Sequence, residues 1–138
     1  MNKVEFVNEL RNILNETVEY YSENIQKRAV SSWRTASCSY VAPNGNTCAV
    51  SRLLSNKGRI KAHEAYEGES AEAIPTTFFQ KKYIKLFKFN ENVMYNFLCQ
   101  LQTLHDTNCY WQNEIGLTKD GEDMVEEINS YLNNLSNV

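Results

Sequence analysis

Apolar residues near the start of the chain recur at three- and four-residue steps. Val7, Leu10, Leu14, Val18, Tyr21 and Ile25 form a single stripe, the pattern of an amphipathic helix. Asn2, with Glu5 three residues later, makes an N-cap pair, and neither Pro nor Gly interrupts residues 3–30. The pattern predicts a helix from about residue 3, with its end open between Ser22 and Ser32. A second stripe, Met94, Phe97, Leu98, Leu101, Leu104 and His105, follows Asn90 as its cap. A third follows Thr118 and runs through Met124, Val125, Ile128, Tyr131, Leu132 and Leu135. Asp120, Glu122 and Asp123 there sit favourably against the positive end of the helix dipole.

Between the first two stripes the pattern changes. The segment Cys38-Ser-Tyr-Val-Ala-Pro-Asn-Gly-Asn-Thr-Cys48 carries a hairpin signature. Pro43 suits the first central position of a type I turn, and Gly45 can take the left-handed conformation that closes the loop. A β-hairpin is therefore expected at about 37–50, with Cys38 and Cys48 on one face. Residues 48–54 read as a short apolar element leaving it. Residues 55–77 are polar, contain Gly58, Gly68 and Pro75, and read as loop-rich. From Phe78 to Phe89 helix and strand both fit. Phe79, Tyr83, Leu86 and Phe87 could share a helix face, while the aromatic content also permits a strand. The expected fold class is α+β: a single small domain over residues 1–138, mostly helical.

Composition agrees with that expectation. Apolar residues make up 42% of 138 positions, enough for one core without staples. No apolar run approaches the roughly 20 residues of a membrane span. The polar opening Met1-Asn2-Lys3-Val4-Glu5 has no secretory core. A cytoplasmic protein with no membrane partner is the expectation, and in that compartment Cys38, Cys48, Cys99 and Cys109 should be thiols.

Charge is unevenly spread. Residues 51–90 carry eight basic side chains against four acidic ones, whereas residues 91–138 carry one Lys against eight acids. Such a split can make a locally positive surface on an acidic protein. Arg52, Lys57, Arg59 and Lys61 cluster just after the hairpin, and Lys81, Lys82, Lys85 and Lys88 lie among Phe79, Tyr83 and Phe87. Cations interleaved with aromatics suit phosphates carrying stacked bases. The candidate ligand-binding residues are Arg52, Arg59, Lys81 and Lys85, with Tyr40 or Tyr83 as a stacking face. A pI of about 5.4 argues against a dedicated duplex-DNA binder and for a small nucleotide or an acidic protein surface. A ligand shared between basic segments of two chains would make a homo-oligomer.

Two other chemistries have the right residue types. Cys48 as nucleophile, His105 as base and Asp106 as orienter could act on a nucleotide or acyl substrate. Against this, neighbouring residues on a helix point about 100° apart, and His105 lies on the apolar stripe, where a core histidine is usual. Cys38, Cys48, His105 and Cys109 could hold a zinc ion in a nucleic-acid-binding domain, but nine residues separate the hairpin cysteines where zinc fingers use about two to four. There is no Gly-rich phosphate loop, no serine elbow and no HExxH, and no cofactor is called for.

Over residues 38–111 the chain resembles a family of small bacteriophage and prophage proteins. The resemblance rests on Cys38-x-Tyr40, Gly45, Cys48-Ala49-Val50, Glu67-Gly68, Leu98-x-x-Leu101-Gln102-x-x-His105-Asp106 and Trp111. The family pattern has Gly where this chain has Ser51. The family has no assigned activity, so the resemblance implies origin. Phage accessory proteins of this size commonly act by binding, either covering a bacterial defence protein or sequestering a nucleotide signal. A binding protein of that kind is the expectation.

Overall fold

The reciprocal cap at the chain start forms. Glu5 N–H donates to Asn2 Oδ1 at 2.9 Å and Asn2 N–H donates to Glu5 Oε2 at 3.2 Å. In the computed structural model, which describes residues 1–23, 48–66, 69–112 and 116–136, helix α1 follows over Lys3–Glu23. The expected hairpin at about 37–50, with Cys38, Tyr40 and Gly45, lies outside the described residues apart from its last positions. The architecture is mostly helical α+β, and the chain divides into two compact units, Met1–Gln26 with Thr107–Val138 and Lys27–Asp106.

In the first unit, α1 buries Phe6, Val7, Leu10, Ile13, Leu14, Thr17 and Tyr21. It packs against α5, Lys119–Ser136, which buries Ile128 and Leu132. Arg11 Nη2 donates to Asn133 Oδ1 at 2.6 Å across that helix pair. A short antiparallel pair, β1 (Trp111–Gln112) and β2 (Gly116–Leu117), sets Trp111 opposite Leu117 and Gln112 opposite Gly116. Gly116 has φ +97°, and a Cβ there would come within 2.9 Å of the Ser22 side chain, so both conformation and space require glycine. Thr118 caps α5 as expected, its hydroxyl accepting from Gly121 N–H at 3.1 Å and donating to Cys109 O at 2.6 Å.

The second unit departs more from expectation. The polar stretch after residue 54 is not all loop: it contains α2, Asn56–Ala65. Ser55 caps it, its Oγ accepting from Gly58 N–H at 3.0 Å. The face α2 buries is made of Gly58 and Ala62, four residues apart. A Cβ on Gly58 would lie 2.0 Å from the carbonyl oxygen of Phe78, so the absent side chain lets two backbones meet. That close approach is stitched by Ser55 N–H donating to Phe78 O at 3.0 Å, by Gln80 N–H donating to Leu53 O at 3.1 Å, and by an antiparallel bridge between Leu54 and Phe79.

The ambiguous segment is helical from Lys81 to Phe89 (α3), with Phe79 just before it. Helix α4 spans Glu91–Asp106, and Asn90 Oδ1 accepts from Val93 N–H at 3.1 Å as its cap. The expected stripe on α4 is buried throughout, Gln102 with it. Rings of Phe79, Phe87 and Tyr95 follow one another at 4.7 and 4.9 Å between centroids. Tyr95 then donates its hydroxyl proton to Ile74 O at 2.7 Å, and burial together with nearby Glu91 raises its pKa. Among the described residues no helix is long and apolar enough to cross a membrane.

Candidate functional site

Two arrangements in the Lys27–Asp106 unit hold the residues singled out for chemistry. The first is buried. Val50 N–H donates to Gln102 Oε1 at 3.2 Å, and Gln102 Nε2 donates to Asp106 Oδ1 at 2.8 Å. His105 Nδ1 lies 2.7 Å from that same oxygen. A carboxylate only accepts, so Nδ1 is the donor in this contact. The expectation that Asp106 is badly placed to hold its neighbour is wrong. Asp106 is the last residue of α4, and Gln102, one turn earlier, draws its carboxylate over the ring.

The dyad therefore has the geometry of a base and its orienter. Its surroundings are those of a core. His105 and Cys48 are fully buried, and Asp106 is 20% exposed. Cys48 Sγ accepts from Ser51 N–H at 3.4 Å, closing the tight turn where the Cys-Ala-Val step meets the one-turn helix Ser51–Leu53. Ser51 itself is fully buried, and its Oγ has no hydrogen-bond partner among the described residues. Buried polar networks of this kind fix the register of packed elements when their members are satisfied.

Of the residues named for zinc, His105 is buried on α4, which ends at Asp106, whereas Cys109 beyond that end is exposed and Cys48 is buried. No cluster of three metal-ligating side chains occurs among the described residues, and Cys38 lies outside them.

The second arrangement is at the surface. The start of α2 and the turn Thr76–Phe78 enclose a cleft of about 220 Å³, lined by Ser55, Lys57, Gly58, Lys61, Thr77 and Phe78. Lys57 and Lys61 are four apart, so both project from one side of α2. Lys61 Nζ stands 5.8 Å above the Phe78 ring, whose edge meets Tyr66. Two lysines, a threonine and a half-buried phenylalanine thus line one concavity.

Comparison with protein families, with curated proteins and with solved structures finds no match. Geometry alone must therefore sort the residues expected to bind.

Arg59 is half-buried, and its Nε donates to Ser51 O at 3.2 Å, which ties it to the turn that also carries Arg52. Arg52 is half-buried too, and its carbonyl accepts from Gln80 Nε2 at 3.1 Å. The Arg59 side chain thus belongs to the frame around the turn. Lys81 and Lys85 are exposed, one turn apart on α3. Tyr83 is half-buried, with Lys82 Nζ 5.0 Å above its ring, and Tyr40 is outside the described residues. Lys57 and Lys61 belong to the basic cluster after the expected hairpin but lie outside the expected ligand-binding set. Their four-residue spacing was the available signal, and it has meaning only once residues 56–65 are seen as a helix.

Proposed function

We propose that this protein is a small binding protein for an anionic, phosphate-bearing ligand, held at the cleft between α2 and the Thr76–Phe78 turn. The observation that carries the reading is the convergence of Lys57, Lys61 and Thr77 on one concavity beside the Phe78 ring. A phosphate accepts charge-assisted hydrogen bonds from ammonium groups, each contributing about 1.5–3 kcal/mol when well made. The cleft is smaller than the roughly 300–1,000 Å³ that encloses a whole small-molecule ligand, so a phosphate enters while the rest lies outside. Phe78, half-buried in the lining, offers a ring for a base there.

The ligand class is a small nucleotide. The resemblance to phage and prophage proteins supports a role as an accessory protein in a host cytoplasm, taking up a nucleotide signal of a bacterial defence system. The burial of His105 supports reading the network from Val50 through Gln102 and Asp106 to His105 as a device that holds α4 on the Cys48–Leu53 turn, not as a site of turnover. The test is direct. Protein purified from bacterial cells is heat-denatured, and the released small molecules are identified by mass. Recovery of an intact phosphate-bearing compound at a stoichiometric level supports the reading. Recovery of a hydrolysed product after adding intact ligand would favour an enzyme.

A further inference from the structure

The two units carry opposite charge. Described residues of the Met1–Gln26 and Thr107–Val138 unit hold ten acidic side chains against three basic ones, whereas α3 in the other unit has Lys81, Lys82, Lys85 and Lys88 and no acid. On α3, Lys81, Lys85 and Lys88 advance by four and three residues and fall within about 60° around the helix. On α5, read in the reverse direction, Glu127, Asp123 and Asp120 advance by the same four and three. All six side chains are exposed. Asp123 and Glu127 also line a groove of about 550 Å³ on α5, together with Glu126, Ser130, Tyr131 and Asn134.

We propose that α3 of one copy docks antiparallel along α5 of a second copy, bringing Lys81, Lys85 and Lys88 level with Glu127, Asp123 and Asp120. Antiparallel helices keep equal rise per residue, so the matched steps put the three pairs at the same heights. Within one chain Asp123 pairs with Lys119 at 3.6 Å, an exposed contact that a second copy must displace or share. Each copy has one face of each kind, so two copies can exchange the contact reciprocally or successive copies can extend it head-to-tail. This surface is separate from the α2 cleft and stands independently of what that cleft binds.

Sedimentation of the whole chain over a concentration series tests it. The expected result is an average mass that rises with concentration in about 0.02 M salt and stays at the monomer in about 0.5 M salt. The pair Lys81→Glu with Lys85→Glu makes both faces acidic, and the pair Asp123→Lys with Glu127→Lys makes both basic. Each variant alone should remain monomeric, and an equimolar mixture should associate again. A monomeric natural chain at low salt, association that survives in either variant, or a mixture that stays monomeric would each overturn the proposal.

Discussion

His105 Nδ1 lies 2.7 Å from Asp106 Oδ1, so two consecutive residues at the end of one helix share a proton contact at the edge of the core. Gln102 completes it from one turn before and passes the connection on to the backbone of Val50. The Val50–Gln102 bond spans 52 residues of sequence and secures the turn that follows Cys48.

Removing its acceptor should cost stability. Asp106→Ala leaves His105 Nδ1–H and Gln102 Nε2 without their shared oxygen, and an unsatisfied buried donor costs about 1–3 kcal/mol. The melting temperature should fall by several degrees, and Asp106→Asn, which retains an acceptor oxygen, should lose less. Equal melting of Asp106→Ala and the natural chain would show that the network contributes nothing.

Gly58 tests the α2 contact. In an isolated helix Gly→Ala stabilises by about 1 kcal/mol. Here the new methyl would meet the Phe78 carbonyl at 2.0 Å, and backbone cannot step aside as a flexible side chain does. Overpacking of that kind costs about 1–3 kcal/mol or more and outweighs the propensity gain. Thermal unfolding of Gly58→Ala should therefore show a lower midpoint, and a higher one would contradict the close approach.

That glycine also explains which parts of the structure were legible in the sequence. Helices α1, α4 and α5 bury large apolar residues at helical spacing behind capping side chains, and all were readable. Helix α2 buries Gly58 and Ala62 and exposes Ile60, so its apolar signal is inverted and its glycine reads as a breaker. The 78–89 segment was ambiguous because its aromatic content suits a strand as well. Phe79, whose backbone bridges to Leu54, in fact lies before the helix. The dyad was legible in residue type and missed in geometry, because the 100° argument ignores how far a terminal carboxylate can be drawn back by Gln102.

The thiols should react in order. Cys109 is exposed, Cys99 is half-buried with Sγ 3.7 Å from Glu72 Oε1, and Cys48 is fully buried. Burial first, and then the Glu72 charge, raises the Cys99 pKa, so less thiolate is present near pH 8 and its alkylation should lag and keep accelerating as pH rises. Peptide mass analysis of native protein should find Cys109 modified first, Cys99 later and Cys48 only on unfolding. Early modification of Cys48 would mean that its turn opens readily.

The binding reading turns on the α2 cleft, and the most direct measurement is calorimetric titration of the whole chain with inorganic phosphate and a panel of linear and cyclic nucleotides at low salt. The account predicts saturable binding of at least one phosphate-bearing compound. Lys57→Ala with Lys61→Ala should weaken that binding by about tenfold or more, about 1.4 kcal/mol, while leaving the melting temperature unchanged. Raised salt should weaken it further. No binding across the panel, or equal binding by the double variant, would contradict the assignment of this cleft.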